Sequence, residues 1–501
     1  MPKKRISIII TGIILLFGCY SYAIEENSEQ TIFKALEIKN GSRITLEDCV
    51  LEAFKNSPQI KRKKYQLDLA KANVGIAKSQ YFPVISAGVG LYNENNSTSS
   101  SYFYSHYKNF PSVAASINQL VWNFGKTTAY IKMEDFYRIG AEYEFTDSVC
   151  SVLFDVKTKY YELLLAKAMV YIAEYNKKIN EYFVKISEDR NKYESETAKI
   201  NLCDAEIKLL DALNDYRNGI INLSNSMYLE NIPDFSITHT PTFHFDDDFF
   251  ENPDQLSSKP FEPKTFDFDM NKAIDIAYAN SPELNVLTAT KNAMEQSLKY
   301  VKKTYMPDLT ADMGYTFDKI NSETGNNGLR VGVNLTSKVN LMELKHGIKA
   351  AQAQIDIADN EITLYKKDLF FEVKRALNNV EKSQRQIPIA KSYIDEGLNN
   401  LRLIEKQYLA KNIDYTSLQD ARKDYIQLLQ NYADSIYNYN IALIQLEEAT
   451  HYHMVDIHSK SNHAITHHFQ EIIDSFGSAI SCDKKCIKKS EKKKKTSVEQ
   501  L

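Results

Sequence analysis

Six of the ten histidines fall in one stretch: His451, His453, His458, His463, His467 and His468. Imidazole is a common zinc and copper ligand, so metal buffering is the first chemistry this stretch suggests. It has no paired ligand spacing and no pattern of a folded element, and metal binding is its minor reading. The run from Lys484 to Lys495 reads as a solvating tail, with anionic lipid or cell wall as a lesser contact. Cys49, Cys150, Cys203, Cys482 and Cys486 are too scattered for a disulfide framework, although Cys482 and Cys486 could pair locally. No nucleophile elbow, phosphate-binding glycine loop, HExxH helix or paired cysteine ligand set occurs. The residues point away from catalysis and from any cofactor. A formal net charge of -4 gives no argument for a nucleic-acid partner.

The amino-terminal residues read as a targeting segment. Lys3, Lys4 and Arg5 precede an apolar stretch from Ile6 to Phe17. That stretch is shorter than the ~20 residues a membrane-spanning helix needs. Ser21-Tyr22-Ala23 offers a small-x-small cleavage site, giving a signal peptide over 1–23. Leu16-Phe17-Gly18-Cys19 competes with it as a lipobox that would place a lipid on Cys19, with Phe17 atypical for that motif. Under either reading the protein leaves the cytoplasm.

Only 16 Gly and 12 Pro occur in 501 residues, so the elements positioning these groups must be long. The chain also repeats itself. Leu51-Glu-Ala-Phe-Lys-Asn-Ser-Pro58 matches Asp275-Ile-Ala-Tyr-Ala-Asn-Ser-Pro282 at a spacing of 224 residues. The same spacing carries Tyr81-Phe82-Pro83 onto Tyr305-Met306-Pro307. Two anchors in one register indicate a duplication, with repeats over 44–228 and 269–450. A connector rich in Pro and Asp separates them at 229–268, and a His/Lys-rich tail follows at 451–501. Each repeat predicts one helix of about 35 residues (near 46–80 and 270–304), two strands around a polar loop, and two further helices. Thr45-Leu-Glu-Asp48 looks like the first helix's capping box. The later helices are expected near 125–190 and 198–227, then near 342–409 and 414–449, with a kink at Pro388.

The strands are the strongest physical clue. Leu309, Ala311, Met313, Tyr315 and Phe317 alternate with Thr310, Asp312, Gly314 and Thr316, and the partner strand sets Val331, Val333 and Leu335 against Gly332, Asn334 and Thr336. The first repeat places Ile85, Ala87, Val89 and Leu91 on one face, and Val113, Ala115, Ile117 and Val121 on the face of its partner. The loops at 93–107 and 318–327 are polar. Strands of about ten residues, apolar on one face and small or polar on the other, fit a membrane barrel. A soluble sheet with one wet face shows the same alternation. Export, and the length of the apolar faces, favour the barrel. Four strands cannot close one, and open edges in lipid cost several kcal/mol per unpaired backbone group, so other subunits must complete it.

At Tyr408-Leu-Ala-Lys-Asn-Ile-Asp-Tyr-Thr-Ser-Leu-Gln-Asp-Ala421, followed by Arg422, Tyr432, Tyr437, Tyr439, Ala442, Leu446 and Ala449, the sequence resembles the TolC-type outer-membrane efflux family. Val121-Trp-Asn-Phe-Gly-Lys126 and Tyr160-Tyr-Glu-Leu-Leu164 are also family-like, and the resemblance covers roughly 44–450. It implies a mainly α-helical fold with a membrane β-barrel part: a homotrimer with a twelve-stranded barrel in outer-membrane lipid and a helical tunnel in the periplasm. It also implies a periplasmic adaptor and an inner-membrane pump as partners, for efflux or type I secretion.

In that family the tunnel closes at its inner hairpin tips. Carried over by position, Tyr408 matches the gating tyrosine and Asp420 the second aspartate of the constriction. Ser417 replaces the first aspartate, Lys411 stands where glycine is usual, and Ile413 stands where some members carry a gating arginine, with Asp414 beside it. In the first repeat, Tyr193 and Asp204 correspond to Tyr408 and Asp420, across a segment one residue shorter. An acidic ring at Asp420 would favour cations at the entrance. The alternative to a duct is a periplasmic coiled-coil scaffold or adaptor lipoprotein anchored through Cys19, which has no use for four strands with apolar faces.

Overall fold

The computed structural model describes residues 41–95, 107–188, 192–238, 240, 270–319 and 325–451. The expected signal segment with Cys19, most of the expected connector, the centres of both polar loops, and the tail from residue 452 lie outside these residues. The tail includes every histidine of the cluster except His451, together with Cys482 and Cys486.

The first repeat runs β1 (Ser42–Ile44), α1 (Leu46–Asn56), α2 (Pro58–Ser79), β2 (Val84–Asn95), β3 (Tyr107–Trp122), α3 (Lys126–Glu188) and α4 (Lys192–Ser226). After β4 (Phe235–Ile237), the second runs α5 (Met270–Asn280), α6 (Pro282–Lys303), β5 (Asp308–Lys319), β6 (Gly325–Thr336), α7 (Leu341–Leu409) and α8 (Tyr415–Thr450). Thr45 caps α1 as its sequence suggests. Its hydroxyl accepts from the Asp48 amide at 3.2 Å, and the Asp48 carboxylate accepts from the Thr45 amide at 3.0 Å.

The first expected helix of each repeat is two helices. Ser57 and Ser281 leave the helical conformation with ψ of 116° and 115°, and each hydroxyl caps the helix that restarts at the next residue. The cause is the proline that follows: its ring excludes the α region for the residue before it, while Pro58 and Pro282 are well placed as first helical residues. The Asn-Ser-Pro motif that betrays the duplication is thus a restart signal. Pro388, by contrast, sits inside α7, which continues unbroken from Leu341 to Leu409.

The four long strands form one sheet in the order β2-β3-β5-β6, all antiparallel, so the two repeats meet at β3–β5 and the ends of the sheet are β2 and β6. The strands extend into the segments read as loops, to Asn95, Tyr107, Lys319 and Gly325. The apolar face is open: Ile85, Val89, Ile117, Met313, Tyr315, Val331, Val333 and Leu335 are all exposed, Val331 to 70 %. A bulge between Leu120 and Trp122 sets Trp122, rather than Val121, opposite Leu309. Trp122 stacks on Phe124 at 5.0 Å, and Tyr81, Phe82 and Tyr305 are also exposed in the segments that join the helices to the strands. Aromatic girdles mark the edges of the apolar band in membrane barrels. Among the described residues no helix is long and apolar enough to cross a membrane.

The core lies in the helical part. Leu153, Val156, Tyr160, Leu163 and Leu164 of α3 share one core cluster with Ile436, Tyr439 and Leu446 of α8, and the cluster also takes in Val373 and Val380 of α7. Lys157 of α3 and Glu447 of α8 form an ion pair of 2.6 Å inside this core. β1 pairs in parallel with β4, a contact the Pro-rich composition of the connector did not suggest. The Tyr160 hydroxyl ties the pair down by donating to the Thr238 carbonyl at 2.6 Å.

Candidate functional site at the hairpin tips

The tip of the second repeat is built by a tight reversal. α7 ends at Leu409, and Lys411 takes a left-handed conformation with φ of 66°. That geometry is the reason glycine is usual here, because a Cβ is strained in the left-handed region. Asp414 then caps α8: its carboxylate accepts from the Ser417 amide at 3.1 Å and from the Ser417 hydroxyl at 2.6 Å. These bonds favour the charged form and hold the Asp414 carboxyl below its ordinary pKa. Asp414 and Ser417 therefore serve one another in the turn. Ile413 packs against the core.

Tyr408 is fully buried, at 0 % exposure, and its hydroxyl donates to the Glu194 carboxylate on α4 at 2.9 Å. Its ring meets Tyr415 edge-on at 6.0 Å. Tyr415 and Gln419 are hydrogen-bonded to each other. Burial raises the Tyr415 pKa. Arg422 lies one turn further on, 3 % exposed, with Nε and Nη1 lacking partners among the described residues. Burial lowers its pKa, and the neighbouring Tyr415 and Asp204 oppose that shift. The Tyr408–Glu194 hydrogen bond thus ties the second tip to the first.

Among the described residues, the remaining expected ones make no hydrogen bond to this cluster, although Asp204 lies near enough to Arg422 to favour its charge. Tyr193 is 80 % exposed, and its neighbour Glu194 makes the contact instead. Asp204 is exposed and pairs with Lys208 at 2.8 Å along α4. Asp420 is exposed on the surface of α8. Glu194 and Gln419 went unnoticed in the sequence. Glu194 adjoins the aligned Tyr193, and only the shortened spacing of the first tip hinted at a shifted partner.

A family model described as outer membrane efflux protein matches this chain twice, over residues 50–227 and 273–450. The chain belongs to the outer membrane efflux protein family. Solved structures share the fold of this outer membrane efflux protein at low sequence identity. The Campylobacter jejuni CmeC outer membrane channel is 15% identical, with a TM-score of 0.66 over 81% of this chain and 85% of that one. The outer membrane protein VceC from Vibrio cholerae is 13% identical, with a TM-score of 0.65 over 81% of this chain and 95% of its own. The Neisseria gonorrhoeae MtrE outer membrane channel, solved in its open state, is 11% identical, with a TM-score of 0.66 over 81% and 88%. Comparison with curated protein sequences gave no match.

Proposed function

We propose that this outer membrane efflux protein works as the exit duct of a tripartite assembly. Three chains form a pore that conducts substrates outward passively, while an inner-membrane pump supplies the energy and a periplasmic adaptor joins the two. The observation that carries this is the sheet. Its outward face is apolar and exposed, and both of its end strands, β2 and β6, have an unpaired side. Three such sheets joined edge to edge give twelve strands and leave no backbone group unpaired in lipid. A periplasmic scaffold has no use for that surface. The cargo is a drug, a toxic metabolite or a secreted polypeptide.

The hairpin tips form the gate of this duct. Tyr408 latches the inner tip to Glu194, the Asp414–Ser417 cap fixes the turn, and Asp420 of each chain contributes to an acidic ring at the entrance. Tyr193 and Asp204 stand at the corresponding level of the first repeat. Fractionation tests the duct: heat-modifiable oligomers in the outer-membrane fraction support it, and recovery as a soluble monomer sinks it.

A further inference from the structure

The polar face of the sheet carries a feature with no counterpart around Gly88 of the first repeat. Asp312, in the middle third of β5, faces Gly332 on β6 and Asn118 on β3. Arg330 and Asn334 lie two residues to either side of Gly332, on the same face as Asp312 because side chains alternate. The Asp312 carboxylate spans this gap. It is hydrogen-bonded to the Asn334 amide and lies 3.8 Å from Arg330 Nε. Gly332 makes the arrangement possible, since a Cβ there would meet Asp312 Oδ1 at 3.1 Å. The carboxylate thus lies against the β6 backbone, held on both sides. The spacing of 224 residues puts Gly88 at the corresponding place in β2, where a Cβ would meet nothing. Nearby positions on that face of β2 and β3 are Ser86, Ala114 and Ser116, all small.

We propose that Asp312, Arg330 and Asn334 form a charge-balanced belt that keeps the β-barrel part of the pore, as distinct from its acidic entrance, tolerant of ions of both signs. This rests on the duct reading, in which the polar faces line the lumen. Threefold symmetry then places three Asp312–Arg330 pairs around the wall, separated by the small residues of the first repeat. A ring of fixed charge in a pore selects ions of the opposite sign, and a ring of neutralised pairs leaves the pore tolerant of both. The belt suits a duct for cargo of mixed charge. Removing either partner exposes three like charges at one level.

Reversal potentials of the purified oligomer in planar lipid bilayers, across a potassium chloride gradient, test the belt. Arg330 is 79 % exposed at its side chain, so its replacement leaves no buried group unpaired. Arg330→Gln should raise the potassium-to-chloride permeability ratio on the order of twofold or more, and Asp312→Asn should lower it comparably. Arg330→Lys, which keeps the charge, should return the ratio toward that of the unmodified pore. Equal potentials in all four proteins would overturn the belt while leaving the duct intact. Failure of the unmodified protein to form pores would overturn the duct and the belt with it.

Discussion

The Tyr408 hydroxyl on α7 donates to the Glu194 carboxylate on α4 across 214 residues of sequence, at 2.9 Å, from a fully buried ring. A hydrogen bond to a charged acceptor contributes roughly 1.5–3 kcal/mol. Tyr408→Phe keeps the ring against Tyr415 and removes the hydroxyl that makes that bond. The open fraction of the pore should rise on the order of tenfold or more, read as single-channel open probability. Glu194→Ala should do the same, and the double variant should add little, because both remove one interaction. Independent additive effects would mean that the two residues do not act as one latch.

The Asp414 cap makes the tip sensitive to acid. Hydrogen bonds from Ser417 lower the folded-state pKa of Asp414 below its unfolded value. The group's contribution is therefore fully present above the ordinary aspartate pKa of about 3.9 and is lost as the pH falls through the lower folded value. The protection of the Ser417 amide relative to an unprotected one should fall across that acidic window, and Asp414→Ala should show the low protection already at neutral pH. Protection that persists in the variant would remove the cap from the account.

Lys411 occupies the left-handed turn with φ of 66°. Lys411→Gly should relieve about 1 kcal/mol of backbone strain, seen as a higher unfolding midpoint in detergent. A lower midpoint would mean that the lysine side chain contributes more than its backbone costs.

Lys157 and Glu447 pair at 2.6 Å inside the helical core, where Glu447 has 0 % exposure. Lys157→Met leaves a buried carboxylate without its cation, which costs about 3–5 kcal/mol. Lys157→Met with Glu447→Leu should be much milder, since apolar groups of similar size often replace a buried pair with little loss. Thermal unfolding of the two variants decides the order. A double variant as unstable as the single one would assign the loss to packing around Lys157.

Asp420 is exposed on α8. Asp420→Ala should weaken block of the pore by divalent cations. Unchanged conductance and unchanged block would remove Asp420 from the gate.

Much of this molecule was legible in its sequence because long periodic elements leave long signals. The strands announced themselves by alternation from Leu309 to Phe317, and the helices by proline-free stretches. The breaks at Ser57 and Ser281 are hard to see in the sequence, although Pro58 and Pro282 stand in view, because the interruption is a single residue and a proline is also compatible with the first turn of a helix. β1 and β4 are three residues each, too short for any period to register. At the tip, Tyr408, Asp414 and Ser417 could be placed by motif, being local in sequence. Glu194 could not, since its role comes from the meeting of two hairpins. The same reason hid Asp312: its alternation was plain, but its pairing with Arg330 required the register of β5 on β6.

The most direct test of the duct is electrical. Protein purified from outer membranes and added to planar bilayers should give discrete conductance steps, small and brief for the unmodified chain and longer-lived for Tyr408→Phe. Inserted protein that conducts in neither form would contradict the duct, and conduction that Tyr408→Phe leaves unaltered would contradict the gate.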